Sequence, residues 1–340
     1  MKKVVIIGCP RSGTTLLARL LEDRLGLAAP IEPHFIEYFS SYRVLFQGRL
    51  SVFRRTVLIN AVFAFLRIWL PRNNPGHDMR EVARHSLLCL EMDRRRLVGE
   101  AEDFSGLMVA LMDAYARAMG QRGWVDKSAY FFPPHIPRYA ALSEDIFFIH
   151  LVRDGRDVCA SWLSSWFGPP SAWMCALLWR RHVSNGDQWL RAHPDRGMQI
   201  SYEALTADPE RIMAEVAGKI GMPLQPASRE NAMVRMLSRR GEHARLCGAV
   251  VANSGQWKQA LSEQQQEIFH AIAGDALVRS GYPVDETISV PQIMSRVRAA
   301  CDWLRPSVMT RRSKRLVPLY AIVMAALGYW FAREGNNHGR

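Results

Sequence analysis

Cysteine pairing is the first thing this sequence lacks. Six cysteines, Cys9, Cys89, Cys159, Cys175, Cys247 and Cys301, are scattered over 340 residues with no C-x-x-C pair among them. A C-x-x-C metal or redox framework is excluded, and a chain of this length needs no disulfide staples, so reduced thiols in a cytoplasmic chain are expected. Internal repeats and low-complexity tracts are absent as well. Met-Lys-Lys leads straight into Val4–Ile7, an apolar run too short for the core of a signal peptide, so no export signal is expected. Acidic residues are in deficit: 32 Asp and Glu against 44 Lys and Arg leave a formal charge of +12. That balance implies an anionic partner, whether nucleotide, nucleic acid, anionic glycan or acidic membrane surface, or else only a soluble basic surface.

What is present is a core-forming α/β pattern. Apolar residues make up 49% of the chain, enough to bury a full core. Val4–Ile7, Trp124–Val125, Ile146–Val152 and Met198–Tyr202 read as strands. Helical spacing is expected at Leu16–Leu25, Ser51–Leu70, Phe104–Met119, about Asp157–Phe167, Trp173–Leu190, Pro209–Ile220 and Gln264–Ser280. Strands alternating with helices predict a mainly parallel sheet covered on both faces, a three-layer fold like that of P-loop proteins. No composition break precedes residue 285, so one domain is expected over 1–285 and a tail over 286–340.

The stretch VVIIGCPRSGTTLLARLL, Val4 to Leu21, runs strand, turn of small residues, helix start, as a phosphate-cradling loop does. Against G-x-x-x-x-G-K-[ST], Gly8, Gly13 and Thr15 fit, but Thr14 stands at the lysine position. A nucleoside-triphosphatase uses that lysine on the β/γ-phosphates and an acidic residue on magnesium. Here the only cation of the loop is Arg11, and no apolar strand ends in a lone aspartate suited to magnesium, so no metal is expected.

PRSGTTLL, Pro10 to Leu17, resembles the 5′-phosphosulfate loop of sulfotransferases that use 3′-phosphoadenosine 5′-phosphosulfate (PAPS), spelled P-[KR]-S-G-T-T-x-L. The resemblance accounts for the missing lysine, because that donor has no γ-phosphate. It places Arg11, Ser12, Gly13, Thr14 and Thr15 around the 5′-phosphosulfate. FFIHLVRDGRDVCASW, Phe147 to Trp162, resembles the family's 3′-phosphate segment and assigns that group to Arg153 and Ser161, with Gly155 where the family usually has proline. On the residues alone, Arg153, Asp154, Arg156 and Asp157 also read as a surface ion-pair cluster.

Sulfuryl transfer to a hydroxyl needs a base for the acceptor proton and charge stabilisation at the sulfuryl oxygens. APIEPHFIEYF, Ala29 to Phe39, resembles the E-x-H-F-F segment of glycan sulfotransferases, whose glutamate is the base, and so nominates Glu32. His34 is a rival, since some cytosolic members use histidine. WVDKSAYFFPPHIP resembles the [DE]-K-[ST]-P segment and points Lys127 at the transferring group, with Ala129 where proline is usual. ISYEALTADPE brings Tyr202 near the adenine by resemblance, with a core tyrosine as the alternative. NSGQWKQAL resembles the late G-x-W-[KR] element; the basic triplet that precedes it elsewhere is replaced by Val250, Val251 and Ala252, leaving Ser254 as a substitute contact.

The resemblance implies an O-sulfotransferase with PAPS as co-substrate, no metal, and a hydroxyl-bearing acceptor: glycan, lipid-linked or small molecule. Segments 35–120 and 163–195, rich in Trp, Phe, Leu and Arg, lie where family members build acceptor pockets. A P-loop kinase or nucleotide hydrolase with a degenerate loop is the competing enzyme reading. A non-catalytic anion-binding protein would explain the charge but not Glu32 and Lys127 in their places. In the tail, the cluster Arg311-Arg312-Ser313-Lys314-Arg315 precedes an uncharged run, Leu316 to Ala332. Its length is at the lower edge for a spanning helix. Contact with an anionic membrane surface through 311–332 and packing on the core or a dimer interface are both open at this point. Membrane contact would also fit the arginine-studded Ser51–Leu70 segment. No nucleic-acid partner is expected.

Overall fold

A computed structural model describes residues 1–31, 33–74, 76–127, 136–165, 168–226 and 253–284. Glu32, Ala129 and the 286–340 tail, with its basic cluster and apolar run, lie outside the described residues.

The described strands are β1 (Lys2–Gly8), β2 (Leu27–Ala28), β3 (Gly123–Asp126), β4 (Ile146–Val152) and β5 (Gly197–Ser201). They form one parallel sheet in the order β2-β3-β1-β4-β5. Parallel neighbours need crossover connections, and the helices that make them cover both faces, so the central strand must be apolar on both sides. Val4, Val5, Ile6 and Ile7 of β1 are accordingly all buried. The chain leaves β1 towards β2 and β3 on one side and returns to β4 and β5 on the other. The crevice at the carboxyl ends of β1 and β4 is therefore the switch point where such sheets hold ligands. Gly8 pairs with Leu151 there, so the loops that follow β1 and β4 start side by side.

Helices follow the signals that the sequence carries. In α1 (Thr14–Leu25), Leu17, Leu20, Leu21 and Leu25 face the core, and Gly26 ends it in the left-handed region. The helices α2 (Phe35–Ser40), α3 (Val52–Asn73), α4 (Met79–Arg84) and α5 (Arg94–Leu97), with tight turns at Arg43–Phe46 and Leu87–Asp93, build the segment between β2 and β3. Then come α6 (Phe104–Ala118), α7 (Ile136–Ala140), α8 (Gly155–Leu163), α9 (Ala172–Ala192), α10 (Tyr202–Ala207), α11 (Pro209–Ile220), α12 (Trp257–Ala260) and α13 (Glu263–Arg279). Ser51, Asp103 and Asp208 cap α3, α6 and α11, and Ser262 with Gln265 forms a reciprocal capping box on α13. One apolar core surrounds β1, α1, α3 and α6; a second joins α8, α9 and α13.

Three departures from the sequence reading are local. β2 was not expected, because two residues after Gly26 give no periodicity to read. α8 ends at Leu163, short of Phe167, and α3 runs through Pro71 to Asn73. Among the described residues no helix is long and apolar enough to cross a membrane.

Candidate functional site

The loop after β1 is shaped by its neighbours as much as by its own residues. Ser12 N–H donates to Cys9 O at 3.1 Å, closing the turn. Gly13 has φ 91, and a Cβ there would stand 2.6 Å from the Tyr202 ring, so this position needs glycine for conformation and for space. Gly8 is equally confined, with Leu151 O 2.8 Å from a would-be Cβ. No side chain caps the start of α1, so its first N–H groups face the crevice with the positive end of the helix dipole. Ser12 is fully buried, and its Oγ has no hydrogen-bond partner among the described residues. Burial pushes the neighbouring Cys9 thiol well up, so it stays protonated and takes no nucleophilic part.

The second phosphate motif meets the first. Arg11 Nε donates to Ser161 Oγ at 2.9 Å, joining residues 150 positions apart. Arg153 follows β4, is 6% exposed and donates through Nη1 to Arg11 O at 2.9 Å and through Nη2 to Asn253 O. Its guanidinium lies 4.4 Å from the centre of the Tyr202 ring, while Trp179 Nε1 donates to its carbonyl at 3.0 Å. Among the described residues Arg153 has no carboxylate partner, and its Nε makes no hydrogen bond. A buried cation held only by carbonyls and an aromatic face has incomplete charge compensation. The arrangement suits an anion.

Its neighbours are satisfied, and they are not at the surface. Asp154, Arg156 and Asp157 are all buried. Arg156 Nη2 pairs with Asp154 Oδ2 at 2.7 Å and its guanidinium stacks 4.0 Å from the Trp257 ring centre. Asp157 accepts from Gly255 N–H at 2.7 Å and from Trp257 N–H at 2.9 Å, fastening the 253–257 strand of chain onto α8. A cavity of about 560 Å³ opens beside this strap, and Ser254, Trp257 and Tyr282 are among its walls. A larger one, about 690 Å³, lies at the opposite, amino ends of β1 and β4 near Lys3 and Asp145 and gathers none of the nominated residues.

Lys127 stands one residue past β3, the strand beside β1, and is 7% exposed. Asp126 before it accepts from the buried Tyr139 hydroxyl at 3.0 Å, which fixes the strand end. His34 is 5% exposed, starts α2 with φ 51, and sets its ring edge-on to Trp69 at 5.3 Å. It is therefore a packed residue and not a solvated one. Arg11, φ 73, is the other non-glycine residue with positive φ among those described. Strained backbone of this kind gathers at binding and catalytic positions.

The structure thus brings Arg11, Ser12, Gly13, Thr14, Thr15, Arg153, Ser161 and Tyr202 to one crevice, with the Ser254 segment along its rim. The sequence reading missed Trp179 and Asp157, which act on the site through a carbonyl and two backbone N–H groups. No local signal announces such long-range contacts. Gly155, in place of the usual proline, has a direct reason: a Cβ would meet the Trp179 and Phe269 rings at 2.5 and 2.6 Å.

Comparison with known proteins agrees with this geometry. The sequence profile described as the sulfotransferase family matches residues 3–226. The sulfotransferase domain from the curacin biosynthetic pathway is 19% identical, with 84% of this chain and 99% of that chain covered at a TM-score of 0.51, and shares the fold. The sulfotransferase domain of the Synechococcus PCC 7002 olefin synthase is 20% identical over 88% of this chain and 94% of that one, TM-score 0.43. Mouse sulfotransferase SULT7A1, solved in complex with PAP, is 11% identical over 82% and 86%, TM-score 0.40. Among curated proteins, no sequence relative matches. With the family profile spanning the loop, Lys127, Arg153 and Tyr202, the chain belongs to the sulfotransferase family, and its chemistry is sulfuryl transfer.

Proposed function

We propose that the protein transfers a sulfuryl group from PAPS to a hydroxyl acceptor. The observation that carries this reading is Arg153: buried, with no carboxylate partner and no Nε hydrogen bond among the described residues, and joined through Arg11 to the serine of the same motif. A 3′-phosphate is the group that distinguishes this donor from other adenine nucleotides, and a guanidinium offers it bidentate, charge-assisted contact. Ser12 Oγ, buried and without a hydrogen-bond partner among the described residues, supplies a second polar group on the loop side. The bound donor supplies an activated sulfuryl group on a phosphate leaving group.

Around it each residue has a physical task. The N–H groups at Gly13–Thr15 and the threonine hydroxyls hold the 5′-phosphate, and Arg11 adds charge to the leaving side. Tyr202, stacked on Arg153 and against Gly13, forms a flat wall for the adenine side. Lys127 holds negative charge at the transferring oxygens. Glu32, with His34 as its rival, takes the acceptor's proton. The acceptor side is the segment between β2 and β3, where His34, Tyr38, Phe65 and Trp69 form an aromatic cluster.

Calorimetry tests this directly. Binding of 3′-phosphoadenosine 5′-phosphate should exceed that of AMP by on the order of 1.5–3 kcal/mol, tenfold or more, and Arg153→Ala should erase the difference. Equal affinities in the unmodified protein would overturn the reading.

A further inference from the structure

Charge is unevenly placed along the chain. From Tyr38 to His77 there is not one Asp or Glu, while Arg43, Arg49, Arg54, Arg55, Arg67 and Arg72 fall in the same stretch. At one end of this stretch the turn Arg43–Phe46 and the first turn of α3 come together: Arg54 Nη2 donates to Leu45 O across them. Their outward side chains are apolar. Val44 is 68% exposed, Leu45 46%, Val52 58% and Phe53 40%. Arg43 beside them is exposed too, as is Arg49, which pairs with Glu102 Oε1 at 2.7 Å. Inward, Phe46 stacks on Phe104 and Leu50 N–H bonds to Glu102 O, so the tip is anchored at the start of α6.

We propose that this tip, residues 43–53, is a docking surface for an anionic lipid bilayer. Single exposed apolar residues need no explanation, but four on two touching turns, with the exposed Arg43 beside them and no carboxylate in the 38–77 run itself, form an amphipathic patch in which Glu102 neutralises Arg49 alone. A protein partner would need roughly 800 Å² of matched surface, more than two turns present. A bilayer needs only the tip, because the side chains enter the acyl boundary while guanidinium groups stay among lipid phosphates. The net charge of +12 favours the approach. This inference rests neither on the nucleotide reading nor on the 311–332 tail.

The test uses the full chain, with hydrogen exchange read by mass spectrometry. Vesicles of phosphatidylserine in phosphatidylcholine should slow exchange in peptides covering 43–55; pure phosphatidylcholine should do so much less. The variant Val44→Glu/Val52→Glu should lose that protection and bind anionic vesicles about tenfold more weakly, as expected for exposed methyl groups replaced by charge. Its thermal stability and nucleotide affinity should be unchanged, since both side chains face water. No protection at 43–55, even if the tail carries the protein to the vesicle, overturns the proposal, as does equal protection by neutral lipid. A lipid-free dimer that the variant dissolves would assign the surface to a second copy of the chain and overturn it too.

Discussion

The crevice at the carboxyl ends of β1 and β4 and the 35–97 segment are built on opposite terms. In the crevice, backbone sets the rules: Gly13 and Arg11 have positive φ, Gly8 has Leu151 O against it, and Arg153 is held by two carbonyls. In the 35–97 segment, side-chain packing sets them: Phe39, Phe65 and Trp69 interleave, and α3 buries Leu58, Val62 and Leu66. A backbone requirement accepts very few residues, so it leaves a spelling in the sequence. Packing accepts any apolar set of the right volume, so it leaves only periodicity. This is why PRSGTTLL names a ligand class and α3 names none.

The same distinction sorts what was legible. The parallel sheet and the limits of β4 and α11 follow from residues quoted in sequence order, whereas the hydrogen bonds of Arg11 with Ser161 and Arg153 join two motifs that the sequence assigned to separate phosphates. β2, the short helices α2, α4 and α5, and the clamp of Asp157 on Gly255 and Trp257 do not, because each depends on a partner distant in the chain. Asp157 in particular reads as a surface charge beside Arg156, yet it is 1% exposed. Burial of a charged residue is decided by tertiary partners that no local window contains.

The largest effect should arise where the two regions meet. Glu32 and His34 lie between β2 and α2, and one of them is proposed as the base. Glu32→Gln should leave 3′-phosphoadenosine 5′-phosphate affinity intact and lower turnover by about 10²–10⁴-fold, the usual loss of a general base. His34→Ala removes a ring packed on Trp69 and should lower thermal stability more than turnover. If His34→Ala abolishes turnover and Glu32→Gln does not, the base is the histidine, and the border residue belongs to the packed region.

Acid should separate the regions next. His150 of β4 is 1% exposed, with its ring against Gly186 of α9, and burial first, then the His182 charge, lower its pKa to about 4. Gln199 bonds to it and Asp187 lies 3.5 Å from Nδ1. A folded pKa below the unfolded value of 6.5 gives stability that is complete above pH 6.5 and lost as pH falls towards 4. The loss is about 3 kcal/mol over that window. Asp187 is shifted up by burial, so its contribution runs the other way, present at low pH and lost as pH rises above its ordinary range. Urea unfolding between pH 7.5 and 4.5 should show the net fall, and His150→Gln should flatten it. Hydrogen exchange at pH 5 should quicken in β4 and α9 before α3; simultaneous loosening of α3 would mean that the two regions unfold as one.

The smallest effect is the sharpest comparison, because it holds backbone conformation nearly constant. Gly13 and Gly48 both have positive φ, 91 and 66, one in the crevice and one between the Arg43–Phe46 turn and α3. A Cβ at Gly13 would meet the Tyr202 ring at 2.6 Å, whereas at Gly48 nothing lies within 4 Å. Gly48→Ala should therefore cost only left-handed strain, about 1 kcal/mol, and leave nucleotide affinity unchanged. Gly13→Ala carries similar strain and must also displace Tyr202, whose ring supports Arg153. Nucleotide affinity should fall about tenfold, or 1.4 kcal/mol, with a larger drop in Tm than Gly48→Ala produces. Tyr202→Ala should relieve the clash, so adding it to Gly13→Ala should recover part of the lost Tm but not the affinity. Equal behaviour of the two alanine variants would mean that the loop has room to move, and that its glycine serves conformation alone.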